Sequence, residues 1–325
     1  MKIVITGGAG FIGSHLSELL LNKGHEIVVI DNLSTGRKEN IKEFSSKIKF
    51  VKADISKNGK WTKHFKGAKV VYHLAALADI VPSIINPSEY FNSNVVGTQN
   101  VMLTVLRYKI KKVVYSASSS CYGIPKKYPT NEKESIKPMY PYALTKRLGE
   151  EIVIHYGKIY KIKTISLRLF NVYGTKSRTS GTYGAMFGVF LAQKLKKVPL
   201  TVIGNGSQKR DFTYVSDVVN AFYKCIKYSG ESRVFNIGTG SPTSINRIVY
   251  LLKSKKTFIP KRPGEPEQTN ANNKKAIKEL DWKPIISIEK GINLMIKNID
   301  YWNNAPVWTP KKIKIATINW FKYLK

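Results

Sequence analysis

The sequence predicts an α/β protein: a doubly wound parallel sheet with a smaller mixed α/β lobe beside it. Three observations predict it. The chain enters a short apolar strand that runs into a glycine-rich turn and then a helical stretch. Apolar runs and longer helical stretches go on alternating through the first 170 residues, the pattern of repeated strand–helix units on a parallel sheet. Near the middle, Tyr142 and Lys146 stand four residues apart and so share one face of a helix.

The first strand is Lys2 to Thr6. Gly7-Gly8-Ala9-Gly10-Phe11-Ile12-Gly13 follows, with Gly7, Gly10 and Gly13 at three-residue spacing, and a helical pattern from Phe11 to Leu21 ends near Gly24. Strand, glycine turn and helix make a dinucleotide site. The glycines admit a pyrophosphate to the backbone amides, and the helix N-terminus favours its charge. A second strand, Glu26 to Ile30, ends in Asp31. A carboxylate there holds the adenosine ribose hydroxyls and repels a 2′-phosphate, so NAD is expected rather than NADP. Arg37 and Lys38 lie nearby as alternative phosphate holders.

Further strands are expected at Ile48 to Ala53, ending at Asp54, at Lys69 to Leu74, followed by the small Ala75 and Ala76, at Lys111 to Ser116 and at Lys163 to Leu169. Helices are expected from Ser88 to Tyr108 and from Tyr142 to Tyr160. Ligands of such sheets bind beyond the C-terminal strand ends, which is where Ser118-Ser119-Ser120 falls. A free phenol, with a pKa of about 10, is a poor base at neutral pH. An adjacent ammonium lowers that value, so Tyr142 and Lys146 read as a proton-transfer pair. The plain alternative is a buried Tyr and a solvated Lys.

Past Asn171 the alternation loosens. Arg178 to Gly184 is a polar loop with two Gly, Met186 to Lys196 an amphipathic helix, and Asn205-Gly206-Ser207 a turn before Arg210 and Asp211. Phe222 to Tyr228 closes a helix, Arg233 to Ile237 is a strand, Ile245 to Leu252 a helix, and Pro260 to Pro266 a rigid loop holding Arg262. The division expected is a dinucleotide domain over 1–170, with a returning segment near 212–238, and a substrate lobe over 171–211 and 239–325. Arg210 and Arg262 suit a diphosphate, since guanidinium matches phosphate geometry. Ile313, Ala316, Trp320, Phe321 and Leu324 recur at helical spacing, a stripe expected to pack on the protein rather than on a membrane.

The net charge of +33 invites a nucleic-acid partner. However, only nine of the 54 basic residues are Arg, and the Lys are spread over the whole chain. That pattern fits a compositional bias, so nucleic acid is disfavoured. Cys121 and Cys225 form no cluster, and the five His show no ligand spacing, so no metal is expected. The absence of a charged leader and of an apolar run of about 20 residues leads to a cytoplasmic expectation.

Taken together, Gly7 to Gly13, Asp31, Asp54, Ser118, Tyr142 and Lys146 resemble the extended short-chain dehydrogenase/reductase family, whose first domain is Rossmann-type. Within it the chain looks most like the UDP-hexose 4-epimerases. Matching stretches are His73-Leu-Ala-Ala76, Ser118-Ser-Ser-Cys-Tyr-Gly123, Arg168-Leu-Phe-Asn-Val-Tyr-Gly174, Lys209-Arg-Asp-Phe212 and Lys261-Arg-Pro-Gly-Glu265, and the likeness runs to about residue 300. The resemblance implies tightly held NAD on Gly7, Gly10, Phe11, Ile12, Gly13, Asp31, Asn32, Asp54, Ile55, Leu74, Ala75, Ala76, Asn94, Ser116, Tyr142 and Lys146. It implies catalysis by Ser118, Tyr142 and Lys146, and a sugar-nucleotide site on Ser118, Asn171, Val202, Arg210, Arg262 and Thr269. It also implies a homodimer formed by pairing Tyr90 to Tyr108 and Tyr142 to Tyr160 of two subunits.

Ser119 and Ser120 stand where the related 4,6-dehydratases carry an Asp-Glu pair, and Ala78 falls where some 4-epimerases hold a Lys. A dehydratase, decarboxylase or reductase of nucleotide sugars is the nearest alternative. A catalytically silent dinucleotide-binding or nucleic-acid-binding protein is the more distant one.

Overall fold

In the computed structural model, which describes residues 1–177, 185–231 and 233–324, the first strand is followed at once by its turn. β1 (Lys2–Thr6), β2 (Glu26–Asp31) and β3 (Lys49–Lys52) lie side by side to one edge. β4 (Val70–His73), β5 (Lys112–Ser118) and β6 (Lys163–Leu169) extend to the other, giving the order β3-β2-β1-β4-β5-β6 with every pairing parallel. The order reverses between β1 and β4. That opens a crevice where Gly7 N–H donates to the Ile30 carbonyl at 2.8 Å and Leu74 N–H to the Thr6 carbonyl at 3.0 Å.

Strand periodicity divides the core. On β1, Ile3 and Ile5 face a cluster with Leu16 and Leu20 of α1 (Phe11–Asn22), whereas Val4 faces Val101, Met102 and Val105. Both faces are covered, which is why the strands read as apolar runs.

After a short α2 (Ile80–Ile85), the expected Ser88–Tyr108 helix is a chain of pieces: α3 (Pro87–Phe91), a wide turn at Asn92–Val96, and α4 (Gly97–Arg107). The wide turn is a π-helical segment, a form found mostly as single turns at functional positions. α5 (Pro141–Ile159) begins one residue before Tyr142, with Pro at the position where a missing N–H costs least.

The remainder builds from short strands: β7 (Val172–Tyr173), β8 (Leu200–Ile203), β9 (Lys209–Arg210) and β10 (Thr213–Tyr214). α6 (Met186–Leu195) precedes β8 and α7 (Val215–Lys224) follows β10. β11 (Val234–Ile237) returns to the large sheet as its seventh strand, beside β6. β12 (Thr243–Ser244) pairs with β9, and β13 (Lys256–Ile259) with β8. Four helices complete this part: α8 (Ile245–Leu251), α9 (Lys274–Leu280), α10 (Ile288–Lys297) and α11 (Pro310–Ala316). A last short helix, α12 (Ile318–Tyr323), closes the described chain.

Two expectations change here. The helix at Met186 is not amphipathic: Phe187 through Gln193 are all buried, because its sequence is apolar on every side. The helix expected to close at Phe222–Tyr228 ends at Lys224. The loop expected at Arg178 to Gly184 lies outside the described residues. Among those residues no helix is long and apolar enough to cross a membrane.

Candidate active site

At the end of β1 the chain turns with Gly7 at φ +73°, and a Cβ there would meet the Ala75 backbone N at 2.6 Å. A Cβ on Gly13 would stand 2.1 Å from the Gly7 carbonyl oxygen. Both glycines are therefore required by close approach, and they leave a cradle of free backbone at the start of α1. Asp31 ends β2 and is buried; its Oδ2 accepts from Ala9 N–H at 3.0 Å and its Oδ1 from Leu33 N–H at 2.8 Å. Burial raises its pKa while the two amides pull it back. Asp54 is held at the end of the next strand by the Ser56 N–H and hydroxyl, at 2.9 and 2.7 Å.

These groups line one cavity of about 650 Å³. It runs over Gly7, Gly10, Phe11, Ile12, Gly13, Asp31, Asn32, Asp54, Ile55, Leu74, Ala75, Ala76 and Ser116. The same cavity is lined by Ser118, Tyr142, Lys146, Asn171, Arg210, Arg262 and Thr269. All but two of the expected residues thus meet on one surface.

The exceptions are Asn94 and Val202. The wide turn points Asn94 inward, 1% exposed, and its amide is consumed. It accepts from Leu77 N–H at 2.8 Å and donates to the Leu77 carbonyl and to Thr145 Oγ1, each at 3.0 Å. It braces the cavity wall instead of lining it. Val202 is 1% exposed and belongs to the core; on β8 its neighbours Thr201 and Ile203 face the cavity, so the alternation of a strand turns Val202 away. Arg37 does not reach the cavity either, its guanidinium lying 5.7 Å from the Tyr301 ring.

Lys146 is 5% exposed, with its ammonium 4.3 Å from the centre of the Tyr115 ring. Burial lowers its pKa to about 7, and Glu150 raises it only in part. Glu150, one turn on, is committed elsewhere: Arg168 Nη2 lies at 2.9 Å, and Ser166 Oγ donates to it at 2.6 Å. Tyr142 is half-buried, and that desolvation raises its pKa; Ser118 and Ser120 pull it down, while Asp79 raises it further. In the protein alone Tyr142 thus stands above its ordinary value, where the four-residue spacing had implied a lowered one. His73 is held neutral by burial, its pKa lowered to about 3, between Thr6 Oγ1 at 2.7 Å and Thr98 Oγ1 at 2.9 Å.

Ser118 caps the turn after β5, accepting from Ser120 N–H at 3.2 Å, and the two hydroxyls are 2.8 Å apart. Across the cavity, Arg262 Nη1 lies 3.0 Å and Arg210 Nη2 3.8 Å from the same carboxylate, Glu265. Two guanidiniums converging on one anion make a place for a second. Asn171, at φ +22°, accepts from Thr269 Oγ1 at 2.7 Å, and Thr269 Oγ1 accepts from Asp211 N–H at 2.9 Å. Asp211 is fully buried and gathers three loops. It accepts from the N–H groups of Thr239, Gly240 and Ala271 at 2.7, 2.9 and 2.8 Å.

Sequence reasoning passed over Ser120, Asp79, Glu265, Asp211 and Trp320. Ser120, Asp211 and Glu265 stand inside matched stretches and Asp79 close to one, but what each does depends on its neighbours in the fold. The partners of Asp211 and Trp320 include residues 60 and more positions distant, which no local signal carries.

The class of protein follows from cradle, carboxylate and Ser–Tyr–Lys set in one cavity, and the comparisons with known proteins agree. Residues 3–238 match the NAD dependent epimerase/dehydratase family model. A UDP-glucose 4-epimerase of Mycolicibacterium smegmatis is 34% identical over 315 residues, spanning 94% of this chain and 99% of that protein. The UDP-glucuronic acid 4-epimerase of Bacillus cereus, solved with UDP-glucuronic acid and NAD, is 33% identical with a TM-score of 0.85, covering 94% of this chain and 99% of its own. The UDP-N-acetylglucosamine 4-epimerase of Methanobrevibacter ruminantium, solved with UDP-N-acetylmuramic acid, is 28% identical with a TM-score of 0.85, covering 91% and 98%. The chain belongs to the NAD-dependent epimerase/dehydratase family. It is an NAD-dependent epimerase, an isomerase with the extended short-chain dehydrogenase/reductase fold.

Proposed function

We propose that the protein inverts carbon 4 of a UDP-hexose through a transient 4-keto sugar, and that it accepts UDP-N-acetylglucosamine at least as well as UDP-glucose. The observation that carries this reading is the single cavity shared by the glycine cradle, the Ser118/Tyr142/Lys146 set and the Arg210–Arg262 pair. NAD, when bound, supplies the acceptor and donor for the hydrogen on carbon 4.

The residues do the rest. Tyr142 takes the proton of the 4-hydroxyl and returns it, with Ser118 donating to that oxygen and Ser120 donating to Ser118. Lys146 holds the nicotinamide ribose. With Lys146 near neutrality and Tyr142 raised by burial, the phenolate needs the positive charge that arrives with the oxidised cofactor. Arg210 and Arg262 hold the diphosphate while the keto sugar turns its other face. Ser119 and Ser120 offer no acid for elimination of water, which weighs against a dehydratase.

The sugar's carbon-2 substituent is assigned to Thr269, seven residues after Arg262. A Thr leaves room for an acetamido group that a Tyr would fill. The division of labour proposed is NAD on 1–170 with the returning 212–238, and sugar nucleotide on 171–211 and 239–325. A homodimer through α3, α4 and α5 is part of the same reading, supported by the exposed Phe91, Leu103, Leu144 and Ile159 on those helices. So is a cytoplasmic location, supported by the two free, buried cysteines.

The experiment is product analysis by sugar-sensitive chromatography after incubation with UDP-glucose and with UDP-N-acetylglucosamine, no cofactor added. The reading requires the 4-epimer of the acetylated sugar. Loss of water from either sugar, or no turnover of either, would overturn it.

A further inference from the structure

Within the lobe assigned above to the sugar nucleotide, the stretch from Thr309 onward carries no residue that has been given a role. It forms α11 and α12, which break at Thr317, so that Ile313 and Trp320 turn inward while Phe321 stays exposed. Trp320 is 1% exposed and lines the cavity. Three separate parts of the cavity wall meet there. α12 packs against α2, which starts directly after the cavity residue Asp79. The Trp320 indole N–H donates to the Pro263 carbonyl at 2.8 Å. The ring lies 5.2 Å from the Arg262 guanidinium carbon and 6.3 Å from the Tyr140 ring, and Tyr140 in turn stacks on Tyr142 at 6.3 Å.

We infer that residues 309–324 form a strap across the sugar-nucleotide end of the cavity, and that Trp320 is a positioning residue that orients Arg262 for the substrate's diphosphate. The inference rests on the reading of Arg262 as a diphosphate holder.

A guanidinium on a free side chain loses rotamer freedom when it takes a phosphate. A ring against its face and a carboxylate at its edge spend that freedom before substrate arrives. The indole is itself fixed, because its N–H is bound to the very loop that carries Arg262.

The test is calorimetric titration of the NAD-containing protein with UDP and with uridine, for the parent, Trp320→Ala and Trp320→Phe. Trp320→Ala should weaken UDP binding about tenfold, the scale of a desolvated cation–ring contact, and leave uridine affinity and NAD content unchanged. Trp320→Phe keeps a ring over Arg262 and loses the Pro263 hydrogen bond, so its loss should fall between parent and Ala. In turnover the variants should raise KM with kcat unchanged. Unchanged UDP affinity in both variants, or equal loss of UDP and uridine, would overturn the inference and leave the proposed function standing. A parent protein that binds no UDP would overturn that function, and the inference with it. Should Trp320→Ala not fold, Trp320→Phe decides by the same comparison.

Discussion

The two ends of the cavity are built differently. The cofactor end comes from consecutive sequence: β1, the glycine turn and the start of α1 carry five of its residues within seven positions, and Asp31 closes the next strand. The sugar end is assembled from afar. Asn171 meets Thr269 across 98 positions, and Asp211 gathers amides 28, 29 and 60 positions away. Backbone geometry makes the first end, so it tolerates few residue types. Side chains on loops make the second, and there changes in specificity are expected without loss of fold.

The largest effect lies where the two ends meet. Tyr142→Phe removes one oxygen and should leave the fold and NAD content intact. Turnover should fall by about 10²–10⁴-fold, the usual contribution of a general acid–base group. A variant retaining most of its activity would remove Tyr142 from the chemistry.

Next come changes confined to the sugar end. Thr269→Tyr fills the space beside the carbon-2 substituent, and overpacking of about 1–3 kcal/mol corresponds to roughly tenfold to a hundredfold in rate. The loss should fall on UDP-N-acetylglucosamine and spare UDP-glucose. Equal loss of both would show instead that the Thr269 bonds to Asn171 and Asp211 matter more than its size. Arg262→Ala should raise KM for either sugar nucleotide about tenfold or more, as expected for a lost charged hydrogen bond, with NAD content unchanged. An unchanged KM would move the diphosphate elsewhere.

Lys146 gives the cofactor end a pH signature. Its pKa falls from 10.5 to about 7 in the folded protein. Between those values the unfolded chain holds a proton that the native protein has released, so stability rises with pH across that window. Below about 7 both states are protonated, and the cost of the buried ammonium is present in full. In NAD-free protein, Lys146→Met should therefore raise the melting temperature most near pH 6.5, with the gain shrinking towards pH 10. A gain that does not change with pH would mean that Lys146 titrates normally. The smallest effect expected is that of Asp79→Asn. It removes a negative charge that raises the Tyr142 pKa, so the acid limb of the kcat/KM profile should move to lower pH. A limb that stays in place or moves up would contradict that coupling.

The same contrast explains what was legible in the sequence. The sheet, α1, α5, the glycine turn, Asp31 and the Tyr142–Lys146 pair announce themselves through periodicity and short spacing. Asn94 was misplaced because a wide turn in a continuous helical pattern redirects one side chain inward, and periodicity does not mark that turn. Val202 was misplaced because the face a strand presents depends on its partner, here β13. Trp320 read as one apolar residue in a stripe; its bond to Pro263 and its place against Arg262 exist only once the loop at 260–266 has folded beside it. The phenol's pKa was misjudged for a related reason. Spacing puts Lys146 on the right face, but burial raises the phenol and lowers the ammonium together.

The central claim is that the hydrogen on carbon 4 leaves and returns inside the cavity and never as a solvent-exchangeable proton. Turnover of UDP-N-acetylglucosamine in deuterium oxide, followed by mass spectrometry and proton NMR of the epimerised product, tests this directly. The account predicts a product inverted at carbon 4 with no deuterium on that carbon. Deuterium at carbon 4 would contradict it, showing that the inverted centre exchanges with water.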